Sequence, residues 1–296
     1  MRGRMTDPGA RSLPRRRSFL RSAAACALAS CCMPWTRPAW AGGFDLSDRT
    51  GLGLYMLQRL LDDNIDNTLR TVAEIGYTEL EIPYYYFTTP PSLLRLRASL
   101  ERHGLRRPAG RFLFRDLYAN PFQAIETALI VGHDYIVCQG APSDLAGQDL
   151  EVIERFSRRL NYIGEKCRAV GLKFVLHNHD WEFSPTGGTR PYDVMLQVLD
   201  PELVNMQLCL YWTAVADVDP VGLFAAHPGR FPLWHVRDMA GTPDKRDVDL
   251  GTGVIDFARI FSHARQAGLR HFFVDQEPSH DLIRSITVAR AYLAAL

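Results

Sequence analysis

The stretch Cys167-Arg-Ala-Val-Gly171-Leu-Lys-Phe-Val-Leu-His177-Asn-His179-Asp180 holds the end of one helix, a stop and a strand with a polar tip. Upstream, Val152, Phe156, Leu160, Ile163, Cys167 and Val170 step by 4, 4, 3, 4 and 3, the period of a helix with one buried face. Asp149 stands where an N-cap belongs. Gly171 then permits the left-handed conformation that ends a helix. The apolar run after it has strand length, and its end collects imidazole, amide and carboxylate side chains.

The same junction recurs on both sides. Glu-Ile-Gly76-Tyr, Arg-His-Gly104-Leu, Ile-Val-Gly132-His and Gln-Ala-Gly268-Leu each set one glycine between a helical stretch and an apolar run. Strands are expected near 51–56, 79–82, 105–112, 135–138, 173–178, 204–210, 232–237 and 271–275, each followed by a helical stretch, short after 204–210. Asp256 is a second N-cap, and Leu282, Ile286, Ala289 and Leu293 form a C-terminal helix face. Repeated strand–helix units imply a parallel sheet. Eight of them in about 250 residues is the size of a (β/α)8 TIM barrel. The alternative, an open doubly wound sheet, would carry a Gly-x-Gly-x-x-Gly turn after its first strand, and none is present. No linker interrupts the body, so residues 42–296 read as one domain.

The first 41 residues have a different composition. Of 34 Lys and Arg and 33 Asp and Glu in the whole chain, eight arginines and one acid, Asp7, fall here, leaving 26 bases and 32 acids on a mildly acidic body. Such a body argues against nucleic acid as a partner. Arg15-Arg-Arg-Ser-Phe-Leu-Arg21 is a basic segment with a twin-arginine pattern, Ser22 to Met33 is a short apolar run, and Ala39-Trp-Ala41 is a small-x-small cleavage site. That order predicts a signal peptide read by the Tat translocase and a periplasmic location. Leu28-Ala-Ser-Cys31 competes as a lipobox, which would leave a lipoprotein anchored at Cys31. The apolar run is too short to span a bilayer, so no integral membrane span is expected. Cys138, Cys167 and Cys209 in the body are spaced by 29 and 42 and make no disulfide framework; at most one pair can form.

In a barrel the chemistry sits at the C-terminal ends of the strands. Those ends offer Glu81; His177, His179, Asp180 and Glu182; Gln207, Cys209, Tyr211 and Trp212; His235, Arg237 and Asp238; and Asp275, Gln276 and Glu277. Period-2 alternation puts His177 with His179, Gln207 with Cys209, His235 with Arg237, and Asp275 with Glu277 on shared faces. Four successive strands thus bring His177, Cys209, His235 and Asp275 toward one spot, a donor set suited to a zinc-like divalent cation. Each of them alone also reads as an ordinary hydrogen-bonding or core residue.

The segments Gly51-Leu-Gly-Leu-Tyr-Met, Ile75-Gly-Tyr-Thr-Glu-Leu-Glu81, Leu176-His-Asn-His-Asp-Trp-Glu-Phe183, Leu210-Tyr-Trp212, Pro228-Gly-Arg-Phe-Pro-Leu-Trp-His-Val-Arg-Asp-Met239 and Gly251-Thr-Gly-Val-Ile-Asp-Phe257 resemble the sugar phosphate isomerase/epimerase family, the xylose isomerase-like TIM barrels. The resemblance covers essentially residues 50–296. It implies one divalent cation, zinc or manganese, at the barrel mouth, and proton transfer next to the carbonyl of a small sugar or sugar derivative; some relatives dehydrate or cleave keto-sugars. It implies metal ligation by His177, Cys209, His235 and Asp275, proton transfer by Asp275, Glu277 or His179, and substrate contacts from Glu81, Glu182, Trp212, Arg237 and Asp238. The usual Glu-Leu-Asp-Leu-Tyr-Trp after strand six reads Gln207-Leu-Cys209-Leu-Tyr-Trp here, and the usual Glu of strand eight is the shorter Asp275. These departures keep a second expectation open: a metal-free barrel that binds carbohydrate through Tyr55, Trp181, Tyr211, Trp212 and Trp234. Gly251-Thr-Gly253 is a possible anion nest.

Overall fold

A computed structural model describes residues 49–84, 89–276 and 281–296. The expected signal peptide with Cys31, and the candidate Glu277, lie outside the described residues.

Eight parallel strands close into a barrel: β1 (Thr50–Gly53), β2 (Glu79–Pro83), β3 (Arg106–Phe112), β4 (Tyr135–Cys138), β5 (Lys173–His177), β6 (Val204–Cys209), β7 (Leu233–Val236) and β10 (His271–Val274). Neighbours in sequence are neighbours in the barrel, and β1 closes on β10. The two remaining strands, β8 (Asp238–Met239) and β9 (Asp247–Val248), form an antiparallel ribbon beyond β7 that periodicity gave no sign of. All five junction glycines, 76, 104, 132, 171 and 268, have positive φ, the conformation each was expected to supply.

Two apolar layers hold the barrel. Ala109, Tyr135, Val137, Val175, Leu233 and Phe273 fill its interior. The opposite strand faces meet the helices; Trp234 stacks on Phe224 with ring centroids 5.0 Å apart and a 4° interplanar angle. The helix Leu150–Arg168 buries Ile153, Phe156, Leu160, Ile163 and Cys167. Val152 is only half-buried and Val170 is 47% exposed, because the helix ends two residues before it. Asp256 caps its helix by accepting from the Arg259 N–H at 2.9 Å, whereas Asp149 occupies an N-cap position without a side-chain bond. The three body cysteines are buried and unpaired. No helix among the described residues is long and apolar enough to cross a membrane.

Candidate metal centre and barrel mouth

Above the interior core the strand ends turn polar. Strand register places Cys209 beside His235 and Gln207 beside His177. The outcome is a ring of buried polar groups. His235 Nε2 lies 2.8 Å from Glu81 Oε2. Gln207 donates from Nε2 to Glu81 Oε1 at 2.6 Å, and its Oε1 lies 3.0 Å from His177 Nδ1. Asn178 Oδ1 accepts the Cys209 N–H at 2.9 Å and ties β5 to β6. His235 Nδ1 is 3.0 Å from Asp275 Oδ2, yet neither it nor Asp275 Oδ1 finds an aligned hydrogen-bond partner among the described residues. The short distance reflects an electrostatic contact; the nitrogen is aimed elsewhere.

The charges follow from burial and neighbours. Burial, then the charge of His235, pushes His177 well below the usual histidine range, so it is neutral. Burial alone would lower His235 as well, but the Asp275 and Glu81 carboxylates overcome it and bring the group up to about 9. Burial works against ionised Asp275, yet His235, Arg111 and Arg237 hold it down at about 2. Burial, then Asp275, pushes the Cys209 thiol up to about 12. Burial and the charge of Arg111 lower His179 to about 4.

His177, Cys209 and His235 each present a ligand atom, all within 4.8 Å of one another. Gln207, accepting from His177 Nδ1–H, leaves Nε2 of that ring with its lone pair toward the centre. Glu81, accepting from His235 Nε2–H, leaves Nδ1 as the other donor. An amide and a carboxylate backing two imidazoles is how metal-ligating histidines are oriented. These three donors fit a thiophilic divalent cation; Asp275, the fourth residue expected with them, is not part of that cluster and lies 3.0 Å from His235 Nδ1 through Oδ2 and 3.8 Å from Arg111 Nη1 through Oδ1.

A cavity of about 130 Å³ borders the cluster at His177 and is lined by Tyr55, Arg111, Gln139, His177, His179, Trp212, Arg237 and Asp275; Cys209 and His235 lie behind this lining, fully buried. The Arg237 guanidinium sits over the Tyr211 ring at 4.1 Å and near Trp212 at 5.4 Å. His179 owes its place to Gly140: a Cβ there would lie 2.4 Å from His179 Cε1.

Of the expected substrate contacts, Trp212 and Arg237 line this cavity. Three others are placed differently. Glu81 is 1% exposed and spends both oxygens on His235 and Gln207. Glu182, also 1% exposed, accepts the His179 N–H at 2.9 Å, and burial raises its carboxyl to about 8. Asp238 accepts from the N–H groups of Met239, Gly251, Gly253 and Ile255 at 2.8–3.2 Å. The expected anion nest at Gly251–Gly253 is therefore filled by the chain's own carboxylate. Trp234 faces the helices, opposite to His235, and is core. Arg111 and Gln139 line the cavity but were not expected from sequence; both stand at or just past the C-terminal ends of β3 and β4, where the strand-end rule would have found them.

Residues 69–291 match the xylose isomerase-like TIM barrel family. An inosose dehydratase from Lacticaseibacillus casei is 21% identical over 202 residues, 55% of this chain and 67% of that one. A sugar phosphate isomerase/epimerase structure from Parabacteroides distasonis superposes with a TM-score of 0.71 at 22% identity, over 84% of this chain and 94% of the other. A zinc-bound structure of the protein IolI superposes with a TM-score of 0.66 at 16% identity, over 83% and 98%. With most of the barrel inside the matched segment, the chain belongs to the xylose isomerase-like TIM barrel family.

Proposed function

We propose that this protein is an exported, metal-assisted enzyme that moves a proton next to the carbonyl of a sugar or sugar derivative. The observation that carries the reading is the His177–Cys209–His235 cluster, backed by Gln207 and Glu81 and bordering a cavity at His177. A bound cation supplies the Lewis acid that polarises the substrate carbonyl. Zinc suits a thiolate with two imidazoles better than manganese or magnesium does. His179, neutral and exposed to the cavity, takes the proton from the carbon next to the carbonyl. Asp275, held ionised at about 2, is suited to ligate the cation and poorly suited to carry a proton. Arg111 and Arg237 flank the cavity and orient substrate hydroxyls. Return of the proton to a neighbouring carbon or to the other face gives isomerisation or epimerisation. Loss of a β-hydroxyl instead gives dehydration, the activity named for the Lacticaseibacillus casei relative.

The test is elemental analysis of the purified protein together with deuterium exchange from solvent into a panel of keto-sugars. About one metal per chain and exchange that disappears in Cys209→Ser is the expected result. A second reading, an ion-free carbohydrate-binding barrel, is favoured by the ease with which Glu81 and Asp275 hold His235 as an imidazolium without any cation. A metal-free protein with no exchange would establish it.

A further inference from the structure

The chamber beside the cluster is small, about 130 Å³, but it does not end at its own walls. Gln139, His179 and Trp212 also line a groove of about 670 Å³ running outward over the loops after β3, β4 and β5. Its volume falls in the range of sites that bury most of a small ligand, roughly 300–1,000 Å³, while the inner chamber falls below it. The groove carries Phe114, Trp181 and Trp212, each only half-buried. Phe114 is braced against Phe156, with ring centroids 4.9 Å apart, so its ring is held in place. Trp181 Nε1 and Gln139 Oε1, one donor and one acceptor, are buried without a hydrogen-bond partner among the described residues. Unsatisfied buried polar atoms beside open aromatic faces are what a ring-shaped, partly polar ligand would cover.

We propose that the groove is a second subsite and that the substrate is a two-ring compound: a sugar joined through a glycosidic bond to a second ring, its carbonyl-bearing unit in the inner chamber. The proposal rests on the site reading above for which ring reacts, but its test needs no turnover. Aromatic faces take the C–H face of a pyranose or an aryl ring, and the amide and indole polar atoms take a hydroxyl or the bridging oxygen. A ligand with one ring seated at the chamber leaves most of the groove to water.

Isothermal titration of the purified full protein with glucose, cellobiose, maltose and phenyl β-glucoside tests this. At least one two-ring ligand binds roughly tenfold more tightly than glucose, the gain expected of about one well-placed ring contact. Trp181→Ala removes that advantage and leaves glucose binding unchanged; Phe114→Ala, on another wall of the groove, does the same and carries the test if the first variant fails to fold. A disaccharide preferred over the phenyl glycoside identifies the second ring as sugar, and the reverse identifies an aryl group. Glucose binding as tightly as every two-ring ligand, no two-ring ligand binding, or variants that weaken glucose by the same factor would overturn the proposal. Absence of metal or of deuterium exchange would sink the catalytic reading alone.

Discussion

Loading the cluster with a cation should expel two protons, and the pH dependence of affinity measures them. In the ion-free protein His235 is protonated up to about pH 9, and the Cys209 thiol up to about pH 12. A cation must displace the His235 Nδ1 proton and ionise the thiol, while His177 is already neutral and Asp275 already ionised. At pH 7 the imidazolium proton costs roughly 3 kcal/mol and the thiol proton roughly 7 kcal/mol, at about 1.4 kcal/mol per pH unit. Magnesium and manganese bond too weakly to sulfur to offset costs of that size, whereas zinc gains most from thiolate and imidazole together. Below pH 9 the binding constant for zinc should therefore rise about 100-fold per pH unit, two protons released per ion. Chelator competition from pH 6 to 8.5 gives the slope, and calorimetry in buffers of different ionisation enthalpy gives an independent proton count. A slope of one proton would mean that Cys209 stays a thiol outside the coordination sphere. A slope of zero would refute the ligand set.

Other expectations follow from the same geometry. Cys209→Ser should leave less than a tenth of the metal per chain, since a neutral hydroxyl is a poor ligand, and Cys209→Asp should restore binding with the preference moved toward manganese; plasma emission analysis of all three proteins reads both. Gly140→Ala drives a methyl into the His179 ring, so kcat should fall about 100-fold with metal content unchanged, the size of loss expected from displacing a catalytic group by an ångström. In the ion-free protein the raised His235 contributes stability that is complete below its unfolded value of 6.5 and lost as pH rises through about 9, whereas lowered Asp275 contributes above 3.8 and loses it as pH falls through about 2; urea melts of wild type against His235→Gln should converge at pH 10 and diverge by roughly 3 kcal/mol at pH 6. Replacing Arg16 and Arg17 by Lys should hold the precursor in the cytoplasm, as cell fractionation would show.

The barrel was legible because its signals are local. Each strand lies within a few residues of its apolar run, and each of the five glycine stops has the backbone angle that its place between helix and strand requires. The helix phase slipped where local reading blurs: Val152 and Ile153 are both apolar, and only contact with the barrel decides that Ile153 turns inward. The β8–β9 ribbon went unseen because its strands are two residues long and its core contact is the Asp238 carboxylate, which no hydrophobic pattern reports.

At the site, alternation was enough to gather His177, Cys209 and His235, since inward-facing residues of adjacent strands must meet. Alternation does not tell what a carboxylate does once it faces inward. Glu81, Asp238 and Asp275 all stand at strand ends, and they have three different partners: a pair of side chains, a set of backbone N–H groups, and a histidine nitrogen that is close without being aimed at it. The first two are satisfied within the protein, so neither has an oxygen left for a ligand. Of these three only Asp275 has a buried oxygen without an aligned hydrogen bond; that oxygen lies 3.8 Å from Arg111 Nη1, and the neighbouring His235 Nδ1 likewise lacks an aligned partner among the described residues. Hydrogen-bond satisfaction, which depends largely on residues distant in sequence, separates the carboxylates committed to the fold from one that the proposed cation would still find available, and it makes the corner of the mouth where His235 and Asp275 meet the place to test.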